Sequence, residues 1–173
     1  MNNSQLSLLT PLGELVFSVR ANGFSTTCLF ELVMCKPKGY LPPKMSVKQL
    51  DGCVLKCTPS VDIENLEFEC IWKNPCSEGS PETGECLDAQ SWEDHNSIVM
   101  IGCEDFDTLN RRLSDSELSM DTWPVFPKFG MKIVIPKVKA NVELSLHFIV
   151  ASNSLPELQD CSCWFAVDID HEK

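Results

Sequence analysis

Basic residues are scarce in this chain, and so are the signatures of common catalytic sites. Fourteen Lys and Arg stand against twenty-five Asp and Glu, a formal net charge of -11. That excludes a general nucleic-acid binder and makes an anionic membrane a poor resting place, because both need clustered Lys and Arg. Eight glycines are spread thinly over 173 residues. No glycine-rich phosphate loop and no G-x-S-x-G nucleophile elbow is present, so nucleotide handling is not expected. Three histidines, His95, His147 and His171, fall in a predicted loop, on the outer face of a predicted strand and near the C-terminus. None is placed as a general base. No apolar run approaches the length of a membrane span, and residues 1–10 lack a basic region followed by an apolar stretch, so an intracellular protein, cytoplasmic or nuclear, is expected.

What is present describes a globular body. A hydrophobic content of 43% and a charged content of 23% lie in the range of folded domains. A chain of this length buries roughly 70% of its unfolded surface, so residues 1–173 are read as one domain. The charge is uneven: residues 61–122 hold sixteen acids and three bases, and residues 1–60 hold three acids and six bases. The acidic middle serves solubility or steers a basic ligand.

Ten cysteines are many for a cytosolic protein, and an even number permits a disulfide-stapled secreted domain. The sole Asn-x-Ser/Thr sequon lies at the terminus, Asn2-Asn3-Ser4. Several of the cysteines occupy inward positions of predicted strands, where a reduced thiol acts as a small hydrophobe. Cys53 and Cys57 have a spacing used by structural zinc sites, whereas Cys161 and Cys163 do not. Carboxylates at Asp105, Asp107, Asp168, Asp170 and around Glu93-Asp94 match no calcium-loop pattern. No metal and no cofactor is therefore expected.

The fold is legible mainly in period-two alternation. Val142, Leu144, Leu146, Phe148 and Val150 alternate with polar residues, and Cys163, Phe165, Val167 and Ile169 repeat the pattern, so residues 142–150 and 163–169 read as core strands joined by a loop at 151–160. Further strands are expected at 14–20, 27–35, 53–57, 65–72, 97–103 and 131–135, the first two pairing as a hairpin through Asn22-Gly23. The run 97–103 is apolar throughout, as in a strand buried on both faces. Residues 36–48 form a basic, proline-stiffened loop, either a crossover between sheets or an edge protector. Residues 74–96 show no periodicity and read as a long acidic loop. One helix of about three turns is expected within 104–120, ending before Ser114, from the i, i+3, i+7 placement of Phe106, Leu109 and Leu113. About eight strands and one short helix predict an all-β antiparallel sandwich, with a closed barrel as the alternative.

Function is then sought in surfaces. The sequence points to a non-enzymatic protein-protein interaction module, an adaptor or complex subunit, whose partner is another protein with a basic surface. The candidate contact residues are Trp123 and Phe126 in the Trp-Pro-Val-Phe-Pro stretch, Glu93 and Asp94 in the acidic middle, and Lys36 and Lys38 in the proline loop. The alternative is a secreted, disulfide-stapled sandwich that sequesters a basic ligand such as a cytokine or chemokine. A carboxylate-based hydrolase or calcium site ranks behind both.

Overall fold

The computed structural model describes residues 5–22, 30–38, 41–75, 77–83, 87–113, 124–155 and 159–168. They form ten strands and two helices: β1 (Gln5–Thr10), β2 (Gly13–Asn22), β3 (Phe30–Cys35), β4 (Gln49–Cys57), β5 (Ile63–Trp72), β6 (Ser80–Thr83), β7 (Leu87–Glu93), β8 (Ser97–Glu104), α1 (Phe106–Arg112), β9 (Gly130–Val138), β10 (Leu144–Ser154) and α2 (Gln159–Val167). One antiparallel sheet has the order β1-β2-β5-β9 and the other β3-β4-β10-β8-β7-β6. Neither closes on itself, so the architecture is an all-β sandwich and not a barrel.

The alternation predicted for β10 is real. Leu144, Leu146, Phe148 and Val150 are buried and meet residues of the opposite sheet, with the Phe148 and Phe68 rings 4.7 Å apart at 41°. Leu15, Phe17 and Val19 of β2, Leu66, Phe68, Cys70 and Trp72 of β5, and Met131, Ile133 and Ile135 of β9 complete one wall of this core. Phe30 and Leu32 of β3, Leu55 of β4, and Val99 and Ile101 of β8 belong to the other. At one end Trp72 and Trp92 meet edge to face at 5.7 Å. Leu109 and Leu113 join the same core from α1 and its C-cap. That helix starts on Asp105, whose carboxylate accepts from the Thr108 backbone N–H at 3.0 Å and from its hydroxyl at 2.6 Å.

Several expectations are corrected. Residues 14–20 and 27–35 are not a hairpin: β2 pairs with β1 and β5, while β3 lies in the other sheet beside β4. A closer partner wins, because Pro11-Leu12 forms a two-residue turn in which Gly13 takes φ +135° and the Thr10 hydroxyl donates to its carbonyl at 2.9 Å. The basic proline loop connects adjacent antiparallel strands β3 and β4, so it is a long hairpin connection and not a crossover. The acidic stretch 74–96 is not structureless, for it carries β6 and β7. Periodicity was hidden there because the inward positions of β7 include Asp88 and Gln90 beside Trp92, while outward Ala89 is buried too. The helix in 104–120 is two turns, Phe106–Arg112, shorter than expected.

The largest correction concerns residues 163–169. Residues 159–167 are helix α2 and not a strand, and Phe165 is 44% exposed instead of in the core. Cys163, Ala166 and Val167 occupy i, i+3 and i+4 and pack on Ala89, Ile98, Met100, Ile149 and Ala151. The outer face of β8 and β10 is apolar and both strands already have two neighbours, so the segment buries that surface by lying across it as a helix and not by adding a strand at their edges. Among the described residues no helix is long and apolar enough to cross a membrane.

Candidate interaction grooves on the six-stranded sheet

The outer face of the six-stranded sheet is unusually bare. By register, Cys35, Gly52, Ile149, Gly102, Ala89 and Glu82 form one row across its six strands. Small residues here let α2 settle on β8 and β10, and a concavity is left on the side of β6 and β7. Its floor is Ile98, Met100 and Ser91, one wall is Cys161, Trp164 and Phe165 of α2, and Glu82 and Glu93 stand at the other; its volume is about 300 Å³. Trp164 is half-buried and Phe165 exposed. Among the described residues neither Glu82 nor Glu93 makes an ion pair. The groove thus brings together two aromatic side chains and two carboxylates that make no ion pair among the described residues, beside Ile98, Met100 and Ser91, a combination suited to a Lys or Arg stem and head.

The residues singled out from the sequence do not form one site. Glu93 lines this groove. Its neighbour Asp94 holds the β7–β8 turn instead, accepting from the backbone N–H of Asn96 and Ser97 at 2.8 Å each, and those bonds keep its carboxyl below the usual range. Lys36 and Lys38 lie elsewhere on the same outer face, at a pocket over β3, β4 and β10. Lys36 is tied to Asp51 and donates to the Leu50 carbonyl at 3.3 Å. Phe126 is half-buried and packs against the main core, whereas Trp123 lies outside the described residues. Sequence reasoning missed Glu82, Trp164 and Phe165. The signal that would have found the aromatic pair is the i, i+3, i+4 set Cys163, Ala166 and Val167, which leaves residues 164 and 165 on the helix surface.

At three of the buried cysteines the thiolate is disfavoured. Burial pushes Cys53 up to about 12, and Cys70 and Cys103 well above the ordinary thiol value. Cys161 and Cys163 lie on different sides of α2: Cys163 is fully buried and Cys161 borders the groove. Two of the carboxylates considered for calcium, Asp105 and Asp168, serve another end or are crowded by a neighbour. Asp105 caps α1, and burial followed by repulsion from Asp105 raises both Asp88 and Asp168. Among the described residues no group of three His, Cys, Asp or Glu side chains is arranged to hold a metal ion. No family model, curated protein or solved structure matches this chain.

Proposed function

We propose that this protein is a non-enzymatic interaction module, an intracellular adaptor or complex subunit, that takes a basic segment of another protein into the groove beside α2. The observation that carries the reading is the juxtaposition of Trp164 and Phe165 with Glu82 and Glu93, acids that make no ion pair among the described residues, around a floor of Ile98, Met100 and Ser91. A guanidinium or ammonium lying on the indole face and reaching a glutamate gains both cation–π and ionic attraction, while its methylene stem covers Ile98 and Met100. The excess of acids across residues 61–122 would add long-range steering toward such a segment. Reduced thiols at Cys53, Cys70 and Cys103, packed as small hydrophobes, suit an intracellular setting.

Selection of peptides from a random display library against the whole protein tests this reading. Selected peptides should carry Lys or Arg next to an apolar residue, and a Glu82→Lys, Glu93→Lys double variant should lose them. Selection of neutral or acidic peptides, or retention by the double variant, would overturn it.

A further inference from the structure

A second concavity on the same sheet has the opposite electrostatics. Val33 pairs with Val54, which is flanked by His147, and Cys35 pairs with Gly52, which is flanked by Ile149. A Cβ at Gly52 would stand 2.8 Å from the Cys35 sulfur and 3.4 Å from Pro37 Cγ. Its absence lets the chain after β3 lie down over β4. Lys36, tied to Asp51 and the Leu50 carbonyl, anchors the fold-back. The result is a pocket of about 240 Å³ with Val33, Val54, Pro37 and Ile149 as its apolar surfaces and Lys38 and Lys56 among its lining residues.

The charges around this pocket do not balance. Lys36 is answered by Asp51, and Glu104 stands 3.9 Å from His147. Glu31 sits opposite Lys56 in the strand register but makes no ion pair with it. Lys38 and Lys56 form no ion pair among the described residues. Val33, 37% exposed, presents uncovered apolar surface beside them.

We propose that this pocket binds a small free carboxylate with a short apolar body, the carboxylate meeting Lys38 and Lys56 and the body lying on Val33, Val54 and Ile149. The volume falls below the roughly 300–1,000 Å³ of drug-sized sites, which limits the body to a single ring or a chain of about eight carbons. Charge selects the head: an apolar surface alone would take any alkyl group, whereas two unanswered ammonium groups favour an anion.

Octanoate is the probe, titrated into the full chain while the methyl resonances of Val33, Val54 and Ile149 are followed by NMR. Saturable shifts confined to these methyls are expected with octanoate and not with acetate, which lacks the body, or octylammonium, which has the wrong charge. The double variant Lys38→Glu, Lys56→Glu replaces two exposed side chains and should weaken octanoate by at least about tenfold, with the spectrum otherwise that of the folded protein. Equal shifts with octylammonium would reduce the site to an apolar dent and overturn the proposal. So would an absence of saturable shifts, an unchanged affinity in the double variant, or binding restricted to anionic lipid vesicles or to acidic peptides. Glu93→Lys alters the other groove and should leave octanoate affinity unchanged, so failure here and failure of the basic-segment reading are separately visible.

Discussion

The two sheets solve the same problem, an outward face, in opposite ways. On the four-stranded sheet the charges answer each other. The buried Glu69 carboxylate contacts Arg20 at 2.5 Å and Lys132 at 2.9 Å and accepts from the Ser18 hydroxyl at 3.3 Å, and Lys132 also reaches Glu67 at 2.9 Å. On the six-stranded sheet the apolar face is partly roofed by α2, and charges at its open margins, Glu82 and Glu93 on one side and Lys38 and Lys56 on the other, make no ion pair among the described residues. A closed ionic set has little left for a ligand, since a newcomer must compete with partners already in place. An unanswered charge beside exposed apolar surface gains its first partner from outside. On the first face the charges are satisfied within the sheet, and on the second they stand beside open apolar surface.

The contrast rests on a shared core, and removing the joint between sheets should abolish both properties. Phe148→Ala takes away the ring that meets Phe68 and should cost roughly 3 to 5 kcal/mol in urea unfolding, as large-to-small changes in packed cores do. A loss under about 1 kcal/mol would mean the site collapses around the deletion. Next in size comes Lys132→Ala, which takes the Lys132 ammonium from Glu67 and leaves the buried Glu69 with Arg20 and the Ser18 hydroxyl. It should cost roughly 1 to 3 kcal/mol while leaving affinity in the α2 groove within about twofold, because the sites share no partner. A loss of groove affinity with intact stability would reverse the roles assigned to the two faces.

Acid titration should separate the Glu69 cluster from the carboxylates around Asp105 by sign. Burial alone would raise Glu69, but its hydrogen bonds from Lys132 and Arg20 hold it below the ordinary 4.5. Its contribution is therefore present above about that value and is lost as pH falls through the lower folded-state pKa. Asp88 and Asp168 move the other way, raised above 3.8 by burial and by Asp105, so the folded state takes up protons first and gains stability as pH falls toward 3.8. Unfolding measured against pH should show the upper limb flattened in Asp88→Asn and the lower limb flattened in Glu69→Gln. Identical profiles for wild type and both variants would remove the electrostatic distinction.

How much of this the sequence disclosed follows from which forces act locally. Phe148 and its alternating neighbours were legible because one face of β10 meets the opposite sheet directly, and the apolar run 97–103 showed that β8 is covered twice. What covers it was not legible. Cys163, Phe165 and Val167 satisfy period two as well as Cys163, Ala166 and Val167 satisfy a helical stripe, and the choice is made by the sheet beneath, which has no free edge there but has a bare face. That single ambiguity hid Trp164 and Phe165, hence the aromatic wall of the groove. Glu93 was visible as charge, yet its separation in role from Asp94 depends on backbone N–H groups that no composition reveals.

The smallest expected change in stability falls on the groove itself, and it gives the sharpest division between the two faces. Phe165 is 44% exposed, so Phe165→Ala should alter unfolding free energy by less than about 0.5 kcal/mol, the usual range for surface substitutions. If the ring anchors a basic segment, the same variant should speed dissociation about tenfold or more, as loss of a central aromatic contact does. Glu82→Lys with Glu93→Lys should act on the other rate: association slows, because the attraction that guides the approach of a cation is reversed. For the wild type, added salt should slow association in the same way, since charge is screened over about 8 Å at physiological ionic strength. Stopped-flow measurements with a selected peptide separate the two rates. Should the glutamate variants change only dissociation, and the wild-type association rate prove independent of salt, Glu82 and Glu93 would be solvated margins, and recognition would rest on the aromatic wall alone.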